Sequence, residues 1–466
     1  LAPLRITPRA TFNEIRPHRS LGKKPPACYI YYMTTRVIHM FRLFLLLVVN
    51  LPAFPILANE NVAPFKPSTS VEETLKQHKR LPDPAQEVWW IPTGEDMRWN
   101  NRHLQQLFPT VPVYRNGQVR PLDYALNKSI DRFPVATPEG NMPFLEFLNS
   151  EHSTSLGVVI LHKGRIVFEH YARMQEYEKP IWWSVTKIFA SSLIAVLEAR
   201  GKVDVSQPVE LYVPELSKSE FAGVSVRDVL DMASGVDCTD GNYARGTCYY
   251  EFEASLGDAV RSPDTPDTPY DMLTSMRPGK WTLPGTGFDY SGTNTFVLSW
   301  IVERVLDMPF HDAVTSEIWH HIGAEGDAAF FAGRKGVALS SGGFLAKARD
   351  MARFGLLFTP SYKVVSDTRL MPSEYIDTML HGGRPELMEH ARFGEGKPGG
   401  VRHNVYQWDM VYDNDDVFKG GWAGQGLLIN PRKDLVAVYL GYAKDDEFSE
   451  LAVLPRLRKL LSTLYP

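Results

Sequence analysis

The sequence predicts a protein of the α/β class, of α+β type, in which a mixed, mostly antiparallel sheet is flanked by helices. Two pairs of β-rich runs lie at residues 156–172 and 424–442. Runs with helical periodicity fill the chain between them. This order predicts one sheet built from both ends of a domain, with a helical region inserted between the ends.

Each β-rich pair predicts a hairpin. In "LGVVILHKGRIVFEHYA" the two runs flank His162-Lys163-Gly164, and in "GQGLLINPRKDLVAVYLGY" they flank residues 430–434. Short apolar runs separated by turn residues are typical of paired antiparallel strands. The last segment, "EFSELAVLPRLRKLLSTLY", has leucines at helical spacing and predicts an amphipathic helix kinked at Pro455.

Four segments between the hairpins predict helices. They are "KIFASSLIAVLEARG", "VSVRDVLDMAS", "TFVLSWIVERVL" and "LAKARDMARFGLLF". The first is apolar on nearly every face, which predicts a buried helix. It ends at Gly201, a residue suited to the left-handed position after a helix.

The chain divides into three parts: residues 1–58, 59–150 and 151–466. Residues 1–32 are basic and without periodicity, and we interpret them as upstream sequence translated from a misplaced start. The following run, "LFLLLVVNLPAFPILA", has the features of a secretory signal cleaved near Ala58. A membrane anchor is the alternative, although prolines interrupt the run. Residues 59–150 predict a wrapping segment with little regular structure, and residues 151–466 predict the functional domain.

Composition excludes some classes of protein. The 466 residues are 44% hydrophobic with a formal net charge of −4, which argues against a nucleic-acid binder. Cys238 and Cys248 lie ten positions apart in a polar loop, and in an exported chain they predict a disulfide rather than two free thiols. His320-His321 has no carboxylate at a metal-ligand spacing, so neither a metal nor a cofactor is expected.

Ser184 and Lys187 are the first candidate catalytic residues. Their i, i+3 spacing at a helix start places both side chains on one face, one turn apart. The free N–H groups of a helix start favour a developing oxyanion. Desolvation favours a neutral lysine, which can accept the serine proton. The alternative is an N-cap serine beside a solvated lysine, since this motif by itself is weak.

The order of the surrounding motifs is more specific. A tyrosine loop, "GTGFDYSGTNTFVLSWIVERV", and a glycine-edged strand, "FKGGWAGQGLLINP", follow the serine–lysine segment. Together they resemble the serine β-lactamases and penicillin-binding proteins, and more closely the class C β-lactamase-like hydrolases. That group includes 6-aminohexanoate-dimer hydrolases, esterases and DD-peptidases. The resemblance runs from about residue 156 to the C-terminus and implies the β-lactamase/transpeptidase fold.

The resemblance implies roles for individual residues. Ser184 matches the nucleophile, Lys187 its base partner, and Tyr290 the tyrosine that moves protons to and from the leaving group. Gly292 stands where the family has Asn. Trp422-Ala423-Gly424 matches the Lys-Thr-Gly motif without its lysine, and the N–H of Gln425 is expected to complete the oxyanion hole with that of Ser184.

These features predict an exported serine hydrolase of small amides or esters that works through an acyl-enzyme. The missing Asn and Lys side chains are those that hold a β-lactam, so the 6-aminohexanoate-dimer hydrolase and esterase side of the family is favoured. A D-Ala-D-Ala carboxypeptidase or a true β-lactamase is the first alternative. A catalytically silent protein of the same fold that binds peptidoglycan fragments is the second.

Overall fold

The structure is a computed structural model, which describes residues 65–80, 93–333, 335–392, 399–445 and 453–466. Residues 66–466 form one compact unit. The predicted leader and secretory signal, residues 1–58, lie outside the described residues. None of the described helices is long and apolar enough to cross a membrane.

The described strands form three sheets. They are β1 (Thr110–Val113), β2 (Pro134–Thr137), β3 (Gly140–Pro143), β4 (Gly157–His162), β5 (Arg165–His170), β6 (Ala328–Phe331), β7 (Phe344–Leu345), β8 (Val401–Val405), β9 (Trp408–Tyr412), β10 (Val417–Gly421), β11 (Gln425–Asn430) and β12 (Leu435–Leu440). The largest sheet has the order β5-β4-β12-β11-β10-β9-β8.

This seven-stranded sheet is antiparallel at every pair of neighbours. Strands β4 and β5 come from the start of the predicted domain, and β8 to β12 come from its end. The two predicted hairpins are present and adjoin one another, because β12 pairs with β4 from Leu435 opposite His162 to Leu440 opposite Gly157. The sheet built from both ends is therefore confirmed.

The described α-helices lie mostly between the two groups of strands. They are α1 (Val71–Arg80), α2 (Gly94–His103), α3 (Lys128–Asp131), α4 (Phe144–Asn149), α5 (Lys187–Ala199), α6 (Val226–Leu230), α7 (Cys248–Leu256), α8 (Pro269–Ser275), α9 (Gly292–Leu306), α10 (Phe310–Glu317), α11 (Ala348–Leu356), α12 (Ser373–His381), α13 (Glu386–Glu389) and α14 (Val453–Leu464). The four predicted helices correspond to α5, α6, α9 and α11.

Apolar cores cover both faces of the large sheet. On one face Phe189 of α5 stacks on Phe354 of α11 with ring centroids 4.4 Å apart. Gly355 lets α11 approach β12 closely, because a Cβ there would lie 2.5 Å from a methyl of Val436. On the other face, α4 and α14 bury Phe147 and Leu457. The sheet is thus the middle layer of three.

Helix α5 forms as its sequence predicts. Its residues are buried from Lys187 to Leu197, and Gly201 adopts φ of +65° just after the helix, the conformation that glycine tolerates best. The described part of α14 begins at Val453, two residues before Pro455. The kink expected at Pro455 stays a prediction.

The segment 59–150 has more regular structure than its composition suggests. Its described part contains three helices of four to ten residues before α4, and the β2–β3 hairpin. Strand β1 pairs with β6, with Thr110 opposite Phe331. The expectation of little regular structure is therefore wrong for this part. Proline and polar content indicated loops, whereas pairing with a distant strand determined the outcome.

Candidate active site

Ser184 lies in a tight turn that leads directly into α5. Residues 183–186 form a short 3₁₀ helix, and α5 starts at Lys187. Trp183 has a φ of +44°, a left-handed conformation that is costly for a bulky residue and is concentrated at functional sites. The residue before Trp183 is anchored to strand β7, because the Trp182 N–H donates a hydrogen bond to Phe344 O at 2.8 Å. Ser184 is half-buried at the top of this turn.

Lys187 is almost fully buried one turn after Ser184. Its Nζ donates a hydrogen bond to Ser341 O at 2.8 Å. The same Nζ lies 3.6 Å from Asp240 Oδ2 and 5.1 Å from the centroid of the Tyr290 ring. The structure thus brings the three predicted catalytic residues to one place, at the start of α5.

Tyr290 also contacts a second lysine, which the sequence analysis missed. Lys419 Nζ donates to Tyr290 Oη at 2.7 Å and to Asp409 Oδ1 at 2.5 Å. Burial lowers the pKa of Lys419 to about 8, the Lys187 charge acts in the same direction, and Asp409 opposes them. The expectation that the site lacks the motif lysine is therefore wrong. The signal was present as Lys419-Gly420-Gly421, three residues before the assigned triplet.

The β10–β11 hairpin approaches the serine turn at Gly421. A Cβ on Gly421 would lie 2.5 Å from Trp182 O and 3.2 Å from Trp183 Cβ, so only glycine allows this contact. Trp422-Ala423-Gly424 forms the hairpin turn, with φ of +63° at Ala423 and +93° at Gly424. The triplet that the sequence assigned to the strand motif is therefore the turn after it.

The side chains of two residues in this hairpin make contacts near the site. Gln425 is paired opposite Gly421 at the end of the ladder, and its side-chain Oε1 accepts from the Gly441 N–H at 3.2 Å. The indole of Trp422 meets that of Trp183 edge to face, with ring centroids 5.4 Å apart. These two half-buried tryptophans form an aromatic wall next to Ser184.

Gly292 is the first residue of α9, and its N–H donates to Asp240 Oδ1 at 2.6 Å. The Asp240 N–H in turn donates to Tyr290 O at 2.9 Å. Burial raises the pKa of the Asp240 carboxyl, while Lys187 and the Gly292 N–H counter part of that effect. Asp240 was not predicted, because an Asp in a Gly/Asn-rich loop has the same local pattern as a solvated turn.

Cys238 and Cys248 are joined by a disulfide across ten positions, as predicted. The bridge links the loop that carries Asp240 to the first residue of α7. The same loop is held by Ser291 Oγ, which donates to Cys238 O at 2.6 Å, and by Thr239 Oγ1, which donates to Asp289 Oδ2 at 2.7 Å. These bonds hold residues 238–240 against residues 289–292, the segment that contains Tyr290.

No cofactor-like cluster accompanies this site in the part of the chain that the structure describes. No group of three or more His, Cys, Asp or Glu side chains there could hold a metal ion. His321 lies in a short 3₁₀ turn, with Nε2 2.8 Å from Ser316 O. The chemistry available at the site is that of a hydroxyl, two amines, a phenol and two carboxylates.

Comparison with known proteins identifies the family of the chain. The beta-lactamase family profile matches residues 144–458. The chain belongs to the beta-lactamase family. It is a hydrolase of the class C β-lactamase-like serine group within that family. The matched span contains every candidate site residue described above.

Relatives within the family differ in their assigned activity. The chain is 29% identical over 352 residues to the 6-aminohexanoate-dimer hydrolase of Paenarthrobacter ureafaciens, covering 75% of this chain and 86% of that one. It is 26% identical over 132 residues to a beta-lactamase of Providencia stuartii, covering 27% of this chain and 34% of the relative. The first similarity extends over most of both chains.

Solved structures of two other hydrolases share the fold. A Bacillus anthracis protein, provisionally assigned as a 6-aminohexanoate-dimer hydrolase, superposes with a TM-score of 0.70 at 22% identity, covering 82% of this chain and 98% of that chain. The hydrolase EstCE1, which has promiscuous acyltransferase activity, gives a TM-score of 0.53 at 13% identity, covering 69% and 96%. At these identities the likeness establishes the fold alone.

Proposed function

We propose that this protein cleaves small linear amides or esters through an acyl-enzyme on Ser184. The observation that carries the proposal is the position of buried Lys187, one turn after the strained serine turn and beside Tyr290. The similarity to a 6-aminohexanoate-dimer hydrolase over 86% of its length supports an amide substrate. Small amides and esters are therefore the proposed partners.

The proposed reaction gives each of these groups one role. Lys187 accepts the proton of the Ser184 hydroxyl as Oγ attacks the carbonyl carbon. Tyr290 gives a proton to the leaving amine or alcohol and becomes a phenolate, while the acyl group stays on Ser184. Water then attacks the acyl group and returns a proton to Tyr290, and Lys187 returns its proton to Ser184 Oγ as the acid leaves. The two lysines beside Tyr290 stabilise the negative charge that forms on its oxygen during transfer.

An oxyanion hole requires two N–H groups near the carbonyl oxygen. The N–H of Ser184 is one, as the sequence predicts. The hairpin supplies the second, for which the prediction is Gln425. Because Gly421 is the hairpin residue that contacts the serine turn, the adjacent Trp422 N–H is the better candidate.

The pocket chemistry supports linear substrates over β-lactams. Where the family has an Asn side chain that can donate to a β-lactam amide, this site has Gly292 and the Asp240 carboxylate, which only accepts. Lys419 is fully buried and already bonded to Asp409 and Tyr290, so it is a poor anchor for a substrate carboxylate. The Trp183–Trp422 wall favours apolar acyl groups.

A β-lactamase or D-Ala-D-Ala carboxypeptidase is the second candidate, and the observation that favours it is Lys419 itself. The motif lysine that these enzymes use is present after all. Their chemistry at Ser184 would be identical, and only the substrate would differ.

Labelling with a fluorophosphonate probe tests the nucleophile. The wild type should react at Ser184, and Ser184→Ala should lose both labelling and turnover, by about 10⁶-fold as for other serine hydrolases. Ser192→Ala, which removes a buried hydroxyl from the same helix α5, should keep both. An unlabelled wild type would favour the silent, peptidoglycan-binding alternative. A labelled Ser184→Ala variant would exclude Ser184 as the nucleophile.

Export is part of the proposal. It is supported by the Cys238–Cys248 bridge, since structural disulfides persist mainly in oxidising compartments. The length of the exported protein, measured by intact mass, tests the predicted cleavage near Ala58. A mature chain that retains the apolar run would support the membrane-anchored alternative.

A further inference from the structure

Asp240 occupies the space that the glycine at position 292 leaves open. A Cβ on Gly292 would lie 3.4 Å from Asp240 Oδ1 and 3.2 Å from Ser341 Cβ. A longer side chain at 292 would therefore meet Ser341 and the Asp240 carboxylate. The carboxylate and a side chain at 292 are alternative ways to fill one position beside Lys187.

This carboxylate joins the three parts of the site. Oδ1 accepts from the Gly292 N–H at 2.6 Å, Oδ2 lies 3.6 Å from Lys187 Nζ, and the Asp240 N–H donates to Tyr290 O at 2.9 Å. Among the described residues, Asp240 is the one carboxylate within 4 Å of Lys187 Nζ. The other hydrogen bond of Lys187 is to a neutral carbonyl, that of Ser341.

Asp240 is also held firmly in place. The disulfide fixes the loop two residues before it, and the hydrogen bond from Thr239 to Asp289 fixes the loop one residue before it. The side chain is only 17% exposed. A carboxylate that is already held in place can fix the position of a lysine without having to reorganise during the reaction.

We propose that Asp240 is a positioning residue that holds Lys187 for proton transfer with Ser184, in place of the amide side chain absent at position 292. The inference rests on the proposed function, because it assumes that Lys187 acts on Ser184. It predicts that the Asp240 carboxylate acts on the rate of acyl transfer and not on substrate binding.

Other charged and titratable groups also face Asp240. They are Lys187 of α5, Lys419 of β10, Glu253 of α7, Asp289 before α9, and the phenols of Tyr243 and Tyr249. Burial raises the pKa of the Asp240 carboxyl above that of an ordinary aspartate. Protonation on the acid side should therefore release Lys187 and produce an acid limb in kcat that depends on residue 240.

The test compares six variants with the wild type on one p-nitrophenyl ester. Asp240→Asn should lower kcat about 10–100-fold with KM within about threefold, and the acid limb should shift or disappear. Asp240→Glu, which keeps the charge, should recover part of the rate. Asp237→Asn removes a carboxylate from the same loop that pairs with Arg392 at 2.7 Å, and it should keep the wild-type profile.

The remaining three variants, Gly292→Asn, Asp240→Gly and the double variant, test whether a side chain at position 292 can replace the Asp240 carboxylate. Gly292→Asn alone should be impaired, because the new side chain meets Asp240 and Ser341. Combined with Asp240→Gly, it should regain activity over either single change, and the double-mutant cycle measures that coupling. Gly292 has an ordinary negative φ, so asparagine is not strained there by the backbone.

The possible outcomes separate the two proposals. If Ser184 is not labelled in the wild type, the proposed function fails. If the wild type is labelled and Asp240→Asn is labelled at the same rate with unchanged kcat, the positioning role alone is overturned. A lower kcat with an unchanged acid limb and no recovery in Asp240→Glu would also overturn it, since that pattern indicates a merely structural contact.

Discussion

Lys419 Nζ donates a hydrogen bond to Tyr290 Oη at 2.7 Å, and the same nitrogen lies 4.5 Å from the centre of that ring. Lys187 Nζ lies 5.1 Å from the ring centre. The phenol is therefore placed between two buried amines. Positive charge at either one favours the tyrosinate that forms when Tyr290 gives up its proton, so the tyrosine can act as an acid and later as a base at moderate pH.

The hydrogen bond predicts a dependence on pH. The pKa of Lys419 is lowered from 10.5 to about 8, so the side chain is an ammonium below about pH 8 and a neutral amine above it. The positive charge beside Tyr290 is present on the acid side and is lost as the pH rises. The kcat/KM for an ester should therefore fall above about pH 8, which a pH–rate profile would show.

Two substitutions should move this alkaline limb in opposite directions. Lys419→Arg keeps the charge to much higher pH, so the limb should move up. Asp409→Asn removes the carboxylate that raises the pKa of Lys419, so the limb should move down. An alkaline limb at the same pH in all three proteins would show that another group causes it.

The sequence analysis did not identify Lys419 as a site residue. The motif was sought at Trp422-Ala423-Gly424, because these small residues precede an apolar strand. In the structure the triplet is a turn with two left-handed residues, and the lysine stands in the middle of β10. A fully buried lysine within "VFKGG" is unusual for a strand, and that burial could not be known from the sequence alone.

Most of the sheet and its helices could be predicted, since their periodicity is local. Ser184, Lys187 and Tyr290 were found because their motifs are local too. Asp240 could not be found in this way. Its contact with Lys187, 53 positions earlier by number, is created by the disulfide and by the pairing of residues 238–240 with 289–292. Such contacts depend on the folded chain and leave no periodic signal.

The disulfide provides a second prediction. Cys238→Ser with Cys248→Ser should lower the free energy of unfolding by about 2–4 kcal/mol, since the bridge closes a short loop in the unfolded chain. Urea denaturation of the two proteins measures this. Because the bridge also holds the Asp240 loop, kcat should fall more than KM changes.

The matched control for this variant is chemical. Reduction of the wild-type protein with dithiothreitol should reproduce both effects, and intact mass after alkylation should then show two modified thiols. Two alkylatable thiols before any reduction would contradict the presence of the bridge in the isolated protein.

A third prediction concerns the substrate. Asp240 offers only an acceptor where a β-lactam amide needs a donor, and Lys419 is occupied by Asp409 and Tyr290. Short p-nitrophenyl esters should therefore exceed nitrocefin in kcat/KM by about 10²-fold or more. The apolar wall should discriminate weakly, by about 10–200-fold per methylene of the acyl chain. Nitrocefin hydrolysis equal to that of the best ester would restore the β-lactamase assignment.

The last prediction separates amide from ester cleavage at Tyr290. An amine leaving group must receive a proton as the tetrahedral intermediate collapses, whereas p-nitrophenolate leaves without one. Tyr290→Phe removes the hydroxyl that accepts from Lys419 and should lower kcat for a linear amide about 10²–10⁴-fold, with a smaller loss for a p-nitrophenyl ester. Tyr124→Phe, which removes an exposed hydroxyl bonded to Glu169, should change neither rate. Equal losses for both substrates would show that Tyr290 acts before the leaving group departs, during the attack of Ser184.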